Sequence, residues 1–248
     1  MGELTVSTKQ RLDQLLLALY PQFTCNQLQS WIMQGKVTVD GKIVTKSGTA
    51  VATDANVELT VQELKYVGRA GFKLEKALDT FGVDVKGLVV MDAGLSTGGF
   101  TDCLLQRGAA RVYGVDVGYG QVHEKIRIDP RVVVMERVNL RHLESLPELV
   151  DLVTLDLSFI SVLKVMDAVL RVLKPQGSLI VLIKPQFEAD RDEVETGGLV
   201  TDPEVHKKVI NRIVTGICER GFEHKGTTES PIHGSSGNKE FLAYFVRA

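Results

Sequence analysis

The hydrophobic positions of the first segment predict two short helices. Leucines at positions 12, 15, 16 and 19 share one helical face, and Pro21 ends this run. A second helix is predicted to begin after Thr24, because Gln27 completes the spacing of a capping box. This helix is predicted to end at Gly35, a residue that suits a C-terminal cap.

A short β element is predicted to follow the helices. Alternating apolar runs flank Asp40-Gly41, a dipeptide that favours a two-residue hairpin turn. The next residues, among them Lys46, Gly48 and Asp54, are predicted to form a loop before a last strand at 57–60. The first segment is therefore predicted to be a small α+β unit.

From residue 66 onward, apolar runs alternate with amphipathic segments. Strands are predicted at 88–91, 112–117, 132–138, 152–157 and 179–183, and helices at 99–107, 161–173 and 203–220. Such alternation is typical of a parallel sheet with helices on both faces. A last strand is predicted at 240–247, with an antiparallel partner at 227–232. The fold class is thus α/β, a Rossmann-like sheet with a small α+β domain before it. The predicted boundaries are 1–60, a linker at 61–65, and 66–248.

Composition narrows the class of protein. The chain has 248 residues, 44% hydrophobic and 24% charged, which is typical of a globular protein. No apolar run is long enough to span a bilayer, and the first residues lack the order of a signal peptide, so we expect a cytoplasmic protein without a membrane partner. Three cysteines and five histidines are scattered, so no metal site is expected. The net charge of −2 means that any nucleic-acid site is a local cluster.

A glycine-rich turn after the strand at 88–91 predicts a nucleotide-type cofactor. Its G-x-x-x-G-G spacing differs from the G-x-G-x-x-G of dinucleotide sites and suits S-adenosylmethionine, which has no pyrophosphate. Asp116 ends the next strand, where a carboxylate can accept hydrogen bonds from two ribose hydroxyls. Asn139 is either an adenine ligand or a simple loop cap. The predicted cofactor-binding residues are Asp92, Gly94, Ser96, Thr97, Gly98, Gly99, Phe100, Asp116, Val117, Asn139, Leu140 and Asp156.

Four charged residues are predicted to meet at one edge of the sheet. Asp156 and Lys184 end two strands, Lys73 lies in a helix that starts near residues 69–72, and Glu240 begins the last strand. Ligands of open parallel sheets bind beyond the carboxyl ends of the strands. Each residue alone has an equally simple interpretation as solvated surface charge, but the four together predict a catalytic pocket. The polar loop at 187–202 is either a lid over this pocket or a surface loop.

The first segment resembles the S-four (S4) domain, an RNA-binding fold. The resemblance rests on R-L-D-x-L-L at 11–16, G-K-V-x-V-D-G at 35–41, and a lysine and an aspartate before the last strand. Where that family usually has Ser-Arg at the start of its second helix, this chain has Cys25-Asn26, so one phosphate contact of the family is missing. A module for protein contact is the alternative. The RNA-binding candidates are Arg11, Lys36, Arg69 and Lys76.

The whole chain resembles the TlyA family, in which an S-four domain precedes an FtsJ-like domain. The residues that match are Y-V-G-R-A-G-F-K-L at 66–74, the loop at 94–102, V-D-V-G-Y-G-Q at 115–121, D-L-S-F-I-S at 156–161, K-P-Q-F-E at 184–188 and G-N-K-E-F-L at 237–242. Lys73, Asp156, Lys184 and Glu240 resemble the Lys-Asp-Lys-Glu tetrad of FtsJ-type ribose 2′-O-methyltransferases. Gly68 and Leu95 depart from the serine and alanine that are commoner in the family.

The resemblance implies S-adenosylmethionine-dependent methylation of the 2′-hydroxyl of cytidine in ribosomal RNA, with ribosomal RNA or ribosomal subunits as partners. Lys184 is the candidate for taking the hydroxyl proton or for positioning the hydroxyl, and Lys73 holds the nucleotide. Asp156 and Glu240 are expected to orient the two ammonium groups. Three alternatives remain. The protein could be a catalytically silent RNA-binding or ribosome assembly factor, a membrane-active hemolysin, or a methyltransferase for a small molecule or a protein. The second is considered because members of this family have been named hemolysins.

Overall fold

The computed structural model describes residues 8–21, 23–60, 65–234 and 236–248. The chain divides into two compact units, residues 1–63 and 64–248. The linker predicted at 61–65 lies outside the described residues except for Lys65, and so do residues 1–7. None of the described helices is long and apolar enough to cross a membrane.

The described residues of the N-terminal unit form two helices and five short strands. The helices are α1 (Leu12–Leu19) and α2 (Cys25–Met33), and the strands are β1 (Lys9–Arg11), β2 (Val37–Val39), β3 (Lys42–Ile43), β4 (Ala50–Ala52) and β5 (Val57–Leu59). Strand β2 lies between β3 and β5, and β1 pairs with β4. The prediction of a loop between the hairpin and the last strand was therefore wrong at β4. Three residues are too few to show an alternating pattern, and their partner β1 lies about 40 positions earlier.

Local signals confirm the predicted elements of this unit. Thr24 and Gln27 form a reciprocal capping box at the start of α2. Asp40 and Gly41 both have positive φ angles, 49° and 75°, as a type I′ hairpin turn requires. The side chains of both helices and of β2 form the core, but Leu19 is 52% exposed, contrary to the predicted apolar face. It is the last residue of this two-turn helix.

The C-terminal unit is built on a seven-stranded sheet. Its strands are β6 (Val89–Ala93), β7 (Arg111–Val115), β8 (Val132–Met135), β9 (Val150–Leu155), β10 (Leu173–Ile183), β11 (Phe222–Glu229) and β12 (Phe241–Arg247). Their order is β11-β12-β10-β9-β6-β7-β8. Strands β6 to β10 are parallel, whereas β12 runs antiparallel to β10 and β11 antiparallel to β12. The predicted α/β fold class is confirmed.

Helices cover both faces of this sheet. They are α3 (Ala70–Phe81), α4 (Gly99–Gln106), α5 (Glu124–Arg127), α6 (Met166–Val172), α7 (Pro185–Glu188) and α8 (Pro203–Cys218), with 3₁₀ helices at Leu140–His142, Val162–Val165 and Arg191–Glu193. The helix predicted at 161–173 is thus a 3₁₀ turn followed by α6. The predicted partner of the last strand is correct in direction, but β11 begins at Phe222 and ends at Glu229. Its polar sequence, F-E-H-K-G-T-T-E, hides the strand from a search for apolar runs.

The strand order reverses between β6 and β9, so the ligand crevice of this fold opens at their carboxyl ends. Gly94 follows β6 with a φ of +89°, and a β-carbon on it would lie 2.2 Å from the backbone oxygen of Asp156, which follows β9. Only glycine fits this conformation and this close approach. The glycine therefore sets how closely the two strand ends meet at the crevice.

Candidate active site

The four charged residues predicted to form a pocket make two ion pairs in one cavity. Lys73 Nζ lies 2.5 Å from Glu240 Oε2, and Lys184 Nζ lies 2.6 Å from Asp156 Oδ1. Lys184 also donates a hydrogen bond to Ser158 Oγ over 3.0 Å. All five residues line the same cavity of about 630 Å³, which we call the tetrad cavity.

Different elements deliver the two ion pairs. Lys73 lies in the first turn of α3 and Glu240 directly before β12, and both side chains are buried. A buried charge is costly unless it is paired, so each of these residues needs the other. Gly234 closes over the carboxylate, because a β-carbon there would lie 2.6 Å from Glu240 Oε1. Asp156 and Lys184 follow the neighbouring parallel strands β9 and β10, which brings them to the same rim.

A second cavity, of about 440 Å³, opens beside the tetrad cavity at the reversal of strand order. We call it the crevice cavity. Its walls combine polar groups after β6, β7 and β8 with an apolar set that includes Val117, Leu140, Leu157, Ile160 and Val165. Ser96, Asp156, Ser158 and Phe159 line both cavities. The two cavities therefore adjoin along these four residues, Asp156 among them.

Two polar residues that were predicted to contact the cofactor, Asp116 and Asn139, line the crevice cavity. The carboxylate of Asp116 accepts hydrogen bonds from the backbone amides of Ser96 and Gly118, both over 2.7 Å. A carboxylate has about four acceptor positions, so two remain for ligand hydroxyls. Asn139 lines the cavity and also accepts a hydrogen bond from the amide of Arg141, so it serves as the loop cap that was the alternative interpretation.

Several predicted cofactor residues lie behind the cavity walls. Asp92, Thr97, Gly98, Gly99 and Phe100 line neither cavity. Asp92 is fully buried and accepts hydrogen bonds from the hydroxyls of Thr101, over 2.7 Å, and Thr154, over 2.9 Å. Burial raises the pKa of Asp92 to about 6, in spite of these two hydrogen bonds.

The adjacent glycines serve packing. A β-carbon on Gly98 would lie 2.8 Å from the side chain of Ile126, and one on Gly99 would lie 3.0 Å from the backbone nitrogen of Gly71. These two glycines therefore let α4 approach α5 and α3. They shape the turn without lining the cavity.

Sequence reasoning gave no role to two aromatic side chains at the tetrad cavity. Phe159 is 90% exposed and has a φ of +64°, a conformation that non-glycine residues rarely adopt. Its ring lies 4.9 Å from that of Phe187, centroid to centroid. Residues held in strained conformations cluster at functional sites. The signal available in the sequence was an aromatic residue inside the D-L-S-F-I-S run at 156–161.

One further polar group of this cavity was also missed. Gln186 lines the tetrad cavity, and its buried Oε1 has no hydrogen-bond partner within the described part of the chain. A buried acceptor without a partner is costly, so this oxygen is suited to a donor group of a ligand.

The RNA-binding candidates differ in their surroundings. Arg69 is exposed at the tetrad cavity, and Lys76, seven positions later, is exposed on the same face of α3 but outside that cavity. In the N-terminal unit Lys36 is exposed, whereas Arg11 donates two hydrogen bonds to the buried Asp13, over 3.1 and 2.7 Å. The guanidinium holds the pKa of Asp13 below its usual range. Arg11 therefore neutralises a buried carboxylate.

Across the described ranges, no cluster of three or more histidine, cysteine, aspartate or glutamate side chains is arranged to hold a metal ion. The fold, the glycine turn and the paired cavities define the class of protein: a Rossmann-like methyltransferase fold with a polar pocket at the carboxyl edge of the sheet.

Comparison with known proteins identifies the family. The FtsJ-like methyltransferase family matches residues 66–247, and the S4 domain matches residues 10–57. The chain is 42% identical to the 16S/23S rRNA (cytidine-2′-O)-methyltransferase TlyA of Mycobacterium tuberculosis, over 88% of this chain and 82% of that protein. It is 41% identical to hemolysin A of Brachyspira hyodysenteriae, over 89% and 93% of the two chains.

A solved structure covers almost the whole chain. It is that of a protein assigned as a hemolysin from Streptococcus thermophilus, with a TM-score of 0.74 and 37% identity over 98% of this chain and 90% of that one. The chain belongs to the FtsJ-like methyltransferase family and, with its S4 domain, to the same family as TlyA and hemolysin A. The predicted family membership is confirmed.

Proposed function

We propose that this protein transfers a methyl group from S-adenosylmethionine to the ribose 2′-hydroxyl of a cytidine in ribosomal RNA. The observation that carries the proposal is the pair of adjoining cavities, one with the two lysine–carboxylate pairs and one with the Asp116 carboxylate, which meet at Asp156. The choice of cytidine and of ribosomal RNA rests on the likeness to TlyA, which is named for that substrate.

The residues of the crevice cavity fit S-adenosylmethionine. Asp116 offers free acceptor positions to the two ribose hydroxyls, and the apolar walls, Leu140 and Ile160 among them, suit a purine ring. Ser96 and Gly94 line the cavity at the glycine turn, close to where an amino-acid carboxylate would meet backbone amides. When bound, S-adenosylmethionine supplies a methyl group on a positively charged sulfur.

The tetrad cavity then has two tasks that its own residues can perform. It must hold the nucleotide in line with the methyl group, because positioning supplies much of the rate of such a displacement. Lys73, kept in place by Glu240, is suited to holding the nucleotide. Lys184 is suited to taking the hydroxyl proton in its neutral form, or to positioning the hydroxyl by a hydrogen bond in its charged form, and Asp156 and Ser158 fix the position of its Nζ.

The proposal gives each unit a role. The first 60 residues form an RNA-binding S4 domain, residues 61–65 a linker, and residues 66–248 the catalytic domain. Lys36, Arg69 and Lys76 are exposed cations suited to phosphate, and Arg11 is also exposed but is paired with Asp13. A ribosomal substrate implies that the protein acts in the cytoplasm.

The test is transfer of a labelled methyl group to ribosomal subunits and to bare ribosomal RNA. Wild type is expected to label ribose, and Lys184→Ala is expected to lose transfer while binding S-adenosylmethionine with unchanged affinity by calorimetry. Lys86→Ala is the matched control, because Lys86 is exposed on the loop before β6 and lines neither cavity. Full activity of Lys184→Ala would refute the assigned site.

Two other results would favour the alternatives. Binding of ribosomal RNA without transfer, by a wild type that binds S-adenosylmethionine, would favour an assembly factor. Lysis of erythrocytes by purified protein, retained in Lys184→Ala, would favour a hemolysin. No described helix could span a membrane, and no other feature of the described residues specifically favours lysis.

A further inference from the structure

We propose that Glu188 is a positioning residue of the methyl-transfer site, which ties the loop that holds Lys184 to the loop that holds Asp156. The inference rests on the proposed function, since it assigns these two loops to catalysis. Lys184 directly follows β10, and Glu188 ends the next helix, α7, one turn later. Glu188 Oε1 accepts a hydrogen bond of 2.7 Å from the backbone amide of Val162.

The position of Val162 makes this hydrogen bond a link between the two loops. Val162 begins the 3₁₀ helix Val162–Val165, six positions after Asp156. The segment between them, 157–161, contributes Ser158 and Phe159 to both cavities. Glu188, the last residue of α7, therefore holds the end of the loop that runs from Asp156 to Val162. Because α7 begins directly after Lys184, this hydrogen bond connects the two loops that hold Asp156 and Lys184.

The contacts at the cavity itself are the ones a substrate will disturb. The two loops also meet through Lys184 and Asp156, through Lys184 and Ser158, and through the rings of Phe159 and Phe187. A ribose hydroxyl that hydrogen-bonds to Lys184 has to share or replace the first two of these contacts. Glu188 lines neither cavity and is 4% exposed, so its link persists while the others exchange.

Burying this carboxyl group costs free energy, which indicates that its role is the hydrogen bond that its oxygen accepts. Glu188 is buried, burial raises its pKa, and its Oε2 has no hydrogen-bond partner among the residues that the structure describes. A leucine of similar size would fill the same space without that cost, but it could not accept the amide hydrogen of Val162. Comparing glutamate with leucine at this position therefore separates the effect of packing from the effect of the hydrogen bond to Val162.

The experiment compares Glu188→Gln, which keeps an acceptor oxygen, with Glu188→Leu, which keeps the packing only. Asp192→Asn is the matched control, since Asp192 is an exposed carboxylate four positions away that lines neither cavity. We expect Glu188→Leu to fold and to bind S-adenosylmethionine within about twofold of wild type. We expect its kcat to fall about tenfold or more, because small misplacements of reacting groups are costly. Glu188→Gln is expected to retain most of the kcat.

Hydrogen exchange of the backbone amides in 156–165 gives a second readout that does not depend on methyl transfer. Faster exchange of this segment in Glu188→Leu, but not in Glu188→Gln, would support the link even if no RNA is methylated, in which case only the proposed function fails. Unchanged exchange in Glu188→Leu would overturn the inference. So would a wild-type kcat in that variant, or an equal loss of kcat in both variants.

Discussion

The buried carboxyl group of Asp92 is expected to make the C-terminal unit less stable as the pH rises from about 4 to about 6. Asp92 is fully buried, and burial raises its pKa from an ordinary 3.8 to about 6. Between these values the folded chain holds a proton that the unfolded chain has released. The free energy of unfolding therefore falls with rising pH in this window and stays at the lower value above it.

The size of the effect follows from the shift. A difference of about two pKa units corresponds to about 3 kcal/mol of unfolding free energy, since each unit is worth about 1.4 kcal/mol. Asp92→Asn stays neutral at every pH and keeps hydrogen-bonding groups for the hydroxyls of Thr101 and Thr154. Relative to wild type, this variant is expected to gain stability by about that amount between pH 4 and pH 7.

Urea unfolding at several pH values measures this difference. Far-UV circular dichroism is the suitable signal. Tryptophan fluorescence would report the N-terminal unit, because Trp31, the only tryptophan of the chain, lies there and Asp92 does not. Asp79→Asn is the control with the opposite sign in a lower window: Arg107 lowers the pKa of Asp79 below its ordinary 3.8, so this variant loses stability relative to wild type as the pH rises to about 4 and is constant above it. A constant difference between Asp92→Asn and wild type across the range would refute the reasoning.

Three further predictions concern a glycine, a helix cap and an exposed ring. Gly94→Ala should lower the free energy of unfolding by about 2–4 kcal/mol and abolish methyl transfer, because the new β-carbon would clash with the backbone after β9. Gly87 also has a positive φ, +76°, but has open space around it, so Gly87→Ala measures the cost of the backbone conformation alone. Thr24→Ala should destabilise the S4 unit by about 1 kcal/mol in unfolding followed by Trp31 fluorescence, and no change would contradict the capping box. Phe159→Ala should raise the KM for RNA about tenfold, because an exposed ring can stack on a base, and should leave calorimetric binding of S-adenosylmethionine nearly unchanged. An unchanged KM would show that the ring does not bind the substrate.

The interiors of the parallel strands were predictable, but their ends were not. Continuous Val, Ile and Leu runs gave the central residues of β6 to β10, since strands buried on both faces must be apolar throughout. Strand β10 begins six positions before its apolar run, at Leu173, and β11 has no such run. The ends depend on backbone pairing with a neighbouring strand, which a window of sequence does not contain.

The candidate site was predictable as a set of residues and not as a geometry. Lys73, Asp156, Lys184 and Glu240 were selected by their places at the ends of elements and by resemblance. Their division into two ion pairs, and the meeting of both cavities at Asp156, appear only in the structure. The roles given to these residues stay predictions until the variants are measured.

The sequence by itself determined the α/β class, the hairpin at Asp40-Gly41 and the family, because periodicity, turn residues and motifs are local properties of the chain. Tertiary structure alone decided that Lys73 pairs with Glu240, 167 positions away, that Asp92 is buried beneath the glycine turn, and that Glu188 reaches the amide of Val162. These contacts depend on strand order and on the register between neighbouring strands. Both are settled by packing the whole sheet against its helices, and neither is encoded in the spacing of residues along the chain.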